Sequence, residues 1–217
     1  MSNTLTKNQL AELLLKYKIV ELRPNEPFTF ASGIKSPIYC DARKVISHLE
    51  LRKPIAAAIA AKILEVYPDV QVISGVATGS IAMSAWVAEI LNLPMIYYRK
   101  PKGYGHNNTI EGEFEKGQKV VVIEDVVSTG GSCLTAVDSL RDAGLDVLGT
   151  SFIYSHELQN AVDNFEAKNC SYACLVGFKD LIEYAGKSNI LKPDEVISAL
   201  KWHENPEKWL DSLSYTI

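Results

Sequence analysis

The chain has 217 residues, 47% of them hydrophobic and 22% charged, with a formal net charge of −4. That balance describes an ordinary globular chain with a sizeable core, and it gives no electrostatic case for binding nucleic acid or an anionic membrane. Residues 1–10 lack the apolar stretch of a secretion signal, and the longest apolar run, around 55–64, is far too short to cross a bilayer, so a cytoplasmic protein is expected.

Thr6 to Gln9 has the form of a capping box, and Leu10, Leu14 and Tyr17 follow at helical spacing, which predicts a first helix. From Pro24 to Ser47 the pattern is broken by Pro24, Pro27, Pro37 and Gly33 and carries Phe28, Phe30 and Tyr39. It reads as short strands and turns that cover the core. Ser47, with Glu50 three residues on, predicts the cap of a second helix that Pro54 must kink or restart.

Beyond it the chain alternates. Strands are expected at Val70–Gly75, Met95–Arg99, Val120–Glu124, Val147–Tyr154 and Tyr172–Val176. Helices are expected at Ser80–Leu91, Ser132–Ala143 and Glu157–Lys168, with an exposed loop at Gly103–Asn108 and a helical tail. Strands apolar throughout and separated by helices predict an α/β fold with a central, mostly parallel sheet covered on both faces. Ligands of such sheets sit beyond the carboxyl ends of the strands. In the tail, Trp202 and Trp209 read as packing residues.

Cys40, Cys133, Cys170 and Cys174 form no C-x-x-C pair and read as reduced thiols, with Cys170 and Cys174 expected on one face of a strand. His48, His106, His156 and His203 are too scattered to complete a structural zinc site.

The densest chemistry lies in residues 119–136. An apolar run, Val120 to Ile123, ends in Glu124 and Asp125; the small residues Ser128, Thr129, Gly130, Gly131 and Ser132 then lead into a helix. A turn of this kind holds a phosphate on backbone N–H groups and a helix N-terminus. Carboxylates cannot sit on the phosphate, so their partners are hydroxyls, as in a ribose, or a metal. The spacing of neither a Rossmann fingerprint nor a P-loop is present. An ordinary strand-turn-helix would leave the two adjacent acids unexplained.

Two further loops fall at the same sheet edge. Gly75–Ser80, GVATGS, is a second small-residue loop suited to pyrophosphate. Arg99, Lys100 and Lys102, followed by Gly103 and Gly105, make a cationic loop with the composition of a lid.

The acidic segment resembles the phosphoribosyl-pyrophosphate (PRPP) motif of type I phosphoribosyltransferases. Residues 28–43 fit FTxxSGxxSPxYxDxR, which resembles the hood of the orotate phosphoribosyltransferases, and the order hood, GVATG, RKxK, EDVxSTGGS agrees. The resemblance implies one phosphoribosyltransferase domain, with the hood at about 1–47, the core at about 48–177 and a helical tail at about 178–217. It implies transfer of phosphoribosyl from PRPP to orotate with Mg²⁺, and a homodimer whose lid reaches into the partner's site. It leaves open a different base, or a PRPP-sensing regulator that has lost catalysis.

Residue by residue, the resemblance puts Glu124 and Asp125 on the ribose hydroxyls. Val126, Val127, Ser128, Thr129, Gly130, Gly131 and Ser132 hold the 5-phosphate, and Thr78 and Gly79 the pyrophosphate. Arg99, Lys100, Lys102 and His106 come from the lid, with Arg99, Lys100, Lys102 and Asp125 the groups expected to act in catalysis. Ser128, Lys35, Tyr39 and Phe30 frame orotate, and Arg43 is the candidate for its carboxylate. No direct protein ligand to Mg²⁺ is implied; Asp125 could reach it through water. Three positions depart from the pattern. Ala31 stands where some members have Lys, Tyr104 where many have His, and His156 lies near the place of a base-contacting Arg.

Overall fold

A computed structural model of the chain describes residues 5–30, 33–101 and 108–209. Thr6 caps α1 (Lys7–Lys16) reciprocally. Its hydroxyl accepts the Gln9 N–H, while Gln9 Oε1 accepts the Thr6 N–H. The chain then forms β1 (Val20–Leu22), β2 (Phe28–Thr29), β3 (Lys35–Ser36) and β4 (Ile38–Cys40). These pair as two antiparallel ribbons, β1 with β4 and β2 with β3.

A 3-10 turn (Ala42–Ser47) leads into α2 (Leu49–Val66), and here the expected cap fails. Ser47 is taken up by the turn, so His48 stands at the N-cap and makes no side-chain cap bond. The helix also continues through Pro54 without a restart. An interior proline costs about 3 kcal/mol, but Leu51, Ile55, Ile59 and Ile63 are fully buried along one face and hold the helix in place.

The rest alternates as the apolar runs require: β5 (Val72–Val76), α3 (Ile81–Leu91), β6 (Met95–Tyr98), β7 (Ile110–Glu111), β8 (Lys119–Val127), α4 (Gly131–Asp142), β9 (Asp146–Ser155), α5 (Gln159–Ala167), β10 (Tyr172–Gly177), α6 (Phe178–Lys187) and α7 (Pro193–Glu204). The central sheet runs β10-β9-β8-β5-β6-β7 and is parallel except for the β6–β7 pair. β7, two residues long, carries no period that a sequence reading can detect. Cys170 precedes β10, so it does not share a strand face with Cys174, and all four thiols are free.

β8 explains why its sequence reads as continuously apolar. Val120 and Val122 belong to one buried cluster with Val137 and Leu140 of α4, while Val121 and Ile123 belong to a second cluster, which also holds Ile55 and Ile59 of α2, on the other face. Leu10, Ile38 and Trp202 belong to that second cluster, which ties the N-terminal ribbons and the tail to the sheet. Among the described residues no helix is long and apolar enough to cross a membrane.

Candidate active site

β8 does not stop at the acids but carries them, and its alternation sends them to opposite faces. Glu124 continues the Val120–Val122 side toward α4. It is 6% exposed, and its carboxylate accepts the Ser132 hydroxyl at 3.0 Å and the Asp125 N–H at 3.2 Å. Burial first, and the charge of Asp125 second, push its pKa up to about 8. Asp125 continues the Val121–Ile123 side. Its Oδ1 accepts the Val126 N–H at 2.8 Å, and its Oδ2 rests against Gly79, where any Cβ would overlap it. The acidic pair and the Gly75–Ser80 loop therefore meet through the absent side chain of Gly79.

Gly130 makes the turn into α4. Its φ is +79°, and a Cβ there would lie 2.7 Å from Phe165 Cε2, so both conformation and space demand glycine. No side chain caps α4, which leaves its first amides available to an anion. Asn164 Nδ2 donates to the Thr129 carbonyl at 3.0 Å and fixes the loop. Ser132, read as a phosphate ligand, gives its hydroxyl to Glu124 here. In the neighbouring loop Ser80 Oγ accepts the Val76 N–H at 2.6 Å and donates to the Val76 carbonyl at 2.7 Å. The Ala77–Thr78 peptide is cis. Ala77 N–H donates to the Tyr98 carbonyl at 2.7 Å, joining this loop to the stem of the cationic one.

That stem is the β6–β7 pair. Arg99 N–H donates to the Thr109 carbonyl at 2.8 Å, and Arg99 Nε to Glu111 Oε1 at 2.6 Å. Arg99 Nη1 is buried and meets no partner among the described residues. Lys100 is exposed. Lys102, Tyr104 and His106 lie outside the described residues.

The N-terminal ribbons contribute to two clefts. One, of about 320 Å³, is lined by Cys40, Asp41, Arg43, Gly79, Asp125 and Val126. Arg43 Nε donates to Asp41 Oδ1 at 2.7 Å, and that bond holds the Asp41 carboxyl below its usual range. The other, of about 500 Å³, is lined by Phe30, Ile34, Ser128, Thr129, Leu158 and the end of α7. His156 lies beside Phe30, ring centroids 6.0 Å apart, and burial lowers its pKa to about 4, which keeps it neutral.

The structure thus brings Phe30 and Ser128 together but puts Arg43 in the other cleft, beside Asp125 and paired with Asp41. Lys35 donates to Thr29 Oγ1 at 2.6 Å, and Tyr39 packs on Phe28; both stay on the ribbons beside the clefts. Cys40, Asp41, Trp202 and His203 line the clefts without being among the expected site residues; Trp202 reads in the sequence as packing. Asp41 stood inside the FTxxSGxxSPxYxDxR pattern and was within reach; Trp202 and His203 had no such signal.

Residues 45–180 match the family described as a phosphoribosyl transferase domain. An orotate phosphoribosyltransferase of Listeria innocua is 46% identical over 204 residues, 94% of this chain and 98% of that relative. A UMP synthase of Leishmania donovani superposes with a TM-score of 0.78 at 27% identity, covering 93% of this chain and 43% of that one. An orotate phosphoribosyltransferase of Aeropyrum pernix gives a TM-score of 0.72 at 27% identity, covering 82% of this chain and 98% of that one.

Proposed function

Because the chain belongs to the orotate phosphoribosyltransferases, we infer that it transfers the phosphoribosyl group of PRPP to orotate, giving orotidine 5′-monophosphate and pyrophosphate in pyrimidine nucleotide synthesis. The observation that carries the assignment of residues is the split acidic pair, with Glu124 on Ser132 and Asp125 on Gly79. It places two carboxylates between two small-residue loops, each suited to one end of PRPP.

In this reading the α4 N-terminus and residues 126–132 take the 5-phosphate. Asp125 and Glu124 take the ribose hydroxyls, and Thr78 with Gly79 takes the pyrophosphate. Orotate lies in the cleft of Phe30 and Ser128, with Lys35 and Tyr39 at its edge. Arg43 holds Asp41 beside the sugar-facing Asp125. The ring nitrogen of orotate, already deprotonated, attacks the anomeric carbon as the C–O bond to pyrophosphate breaks. No strong general base is needed, so the protein's part is positioning and stabilisation of leaving-group charge. Lys100 and Lys102 meet that charge from the lid, with His106 beside them, and Arg99 anchors the lid's stem.

Among the described residues no cluster of three or more His, Cys, Asp or Glu could hold a metal ion. Asp125, open to the cleft at Gly79, nevertheless suits a Mg²⁺ held mainly by substrate oxygens and water. When bound, Mg²⁺ neutralises charge on pyrophosphate. We place the protein in the cytoplasm, consistent with four free thiols. We take it to be a homodimer whose lid serves the partner's site.

The test follows orotate absorbance on addition of PRPP and Mg²⁺, with uracil, hypoxanthine and adenine in parallel. Orotate consumption with stoichiometric pyrophosphate, and no turnover of the other bases, is expected. Binding of PRPP without turnover of any base would overturn the enzyme reading.

A further inference from the structure

Trp202 and His203 lie at the end of α7, a segment that the transfer reaction leaves without a part. Both nevertheless line the cleft of Phe30, Ser128 and Thr129. Trp202 is fully buried, and its Nε1–H donates to the Lys35 carbonyl at 2.8 Å. Lys35 pairs with Thr29 in the β2–β3 ribbon, and Phe30 N–H continues that ribbon to the Ile34 carbonyl at 2.9 Å. One indole N–H therefore anchors the hairpin whose far end carries Phe30. The same indole meets Phe30 and His156 edge-on, at centroid distances of 6.5 and 5.9 Å.

His203 ties the helix to the opposite wall. Its Nε2 lies 2.9 Å from the Glu157 carbonyl, and because a carbonyl only accepts, that nitrogen must carry the proton. Its ring stacks on Phe178, with centroids 4.9 Å apart and planes at 15°. Trp209 folds the following segment back, its Nε1–H reaching Ser198 Oγ at 3.3 Å. The end of α7 thus bridges the hood and the exit of β9, across a cleft large enough for a small planar ligand.

We propose that the end of α7 walls the base subsite. Trp202 is a positioning residue for Phe30 and Lys35, and His203 fixes the wall opposite Ser128, so that the tail helps set the affinity for the planar base. This rests on the reading that the cleft holds orotate. The consequence is a separation of the two substrates. A defect in α7 acts first on the base, because α7 is tied to the hood and to the exit of β9, and of the PRPP-holding loop only Ser128 and Thr129 reach this cleft.

The experiment compares wild type with Trp202→Phe, His203→Ala and His203→Gln, measuring kcat and KM for orotate and for PRPP separately. Trp202→Phe keeps an aromatic ring but leaves the Lys35 carbonyl unmet, and a lost buried hydrogen bond corresponds to about a tenfold rise in orotate KM. PRPP KM should change by less than about twofold, within the noise of an uncoupled site. His203→Ala should show the same split, and His203→Gln, which can still donate to Glu157, should restore most of it. If Trp202→Phe fails to fold, the His203 pair decides by the same split. An active wild type whose variants raise both KM values together, or neither, overturns this proposal alone. A wild type inert toward orotate overturns the functional reading and this one with it.

Discussion

Glu124, assigned above to the ribose hydroxyls, carries a cost to the empty protein. It is buried against Ser132 and next to Asp125, and its pKa rises to about 8 from a usual value of 4.5. The folded state thus keeps a proton that the unfolded chain releases. The stability from this group is whole below about pH 4.5 and is lost as pH rises through about 8. Glu124→Gln retains an oxygen for the Ser132 hydroxyl and removes the titration. Calorimetry from pH 5 to 9 without ligand should show a thermal midpoint that falls for wild type and much less for the variant. For a chain of this size each kcal/mol recovered corresponds to about 3 °C. Parallel curves would mean that Glu124 does not titrate in this window. PRPP binding should weaken in the same variant, because an amide cannot meet two ribose hydroxyls as a carboxylate does.

At the scale of elements the site is two strand-loop-helix units set side by side, β5 into α3 and β8 into α4, and Gly79 is where they touch. Gly79→Ala drives a methyl into the Asp125 carboxylate, which must turn away. A displacement of about 1 Å in a positioned group costs on the order of a hundredfold in rate, so kcat/KM for PRPP should fall by that much. The thermal midpoint should move by only a few degrees, since the clash is at the cleft and not in the core. Steady-state kinetics beside a melting curve checks both, and a variant with wild-type kcat/KM would show that the contact is not functional. These units were legible because their strands are buried on both faces, so Val120 to Ile123 reads as a plain apolar run, and because Gly130 and Ser132 mark the turn. The cap at Ser47, the continuity of α2 through Pro54 and the short β7 were not legible, for the opposite reason. Their state is decided by packing from distant segments, as when Leu51 and Ile55 carry α2 through its proline. The partnership of Trp202 with Lys35, and of Arg43 with Asp41 beside Asp125, likewise joins parts of the chain that no local pattern connects.

The whole molecule leaves large apolar side chains uncovered around the helix pair that leads away from the site. Ile46 before α2, Leu49 in its first turn and Ile90 near the end of α3 are 38%, 64% and 49% exposed. Arg52 lies over the ring of Trp86 between the same two helices, its guanidinium 5.1 Å from the ring centroid. A second copy seated against α2 and α3 would stand beside the helix that starts at the Gly75–Ser80 loop. If the lid serves the partner's site, defects in lid and acid belong to different subunits of each centre. Lys100→Ala and Asp125→Asn dimers should each be nearly inactive, yet co-expressed with different tags they should complement. Random pairing in a twofold dimer makes about half the dimers mixed, and each mixed dimer then keeps one site with both groups intact, so about one quarter of the wild-type activity should return. A lid that serves its own subunit leaves every site in the mixture with one defect, and no activity returns. The purified mixed dimer separates the two arrangements without any assumption about the rate of subunit exchange, since its expected activity is about half of wild type in one case and near zero in the other.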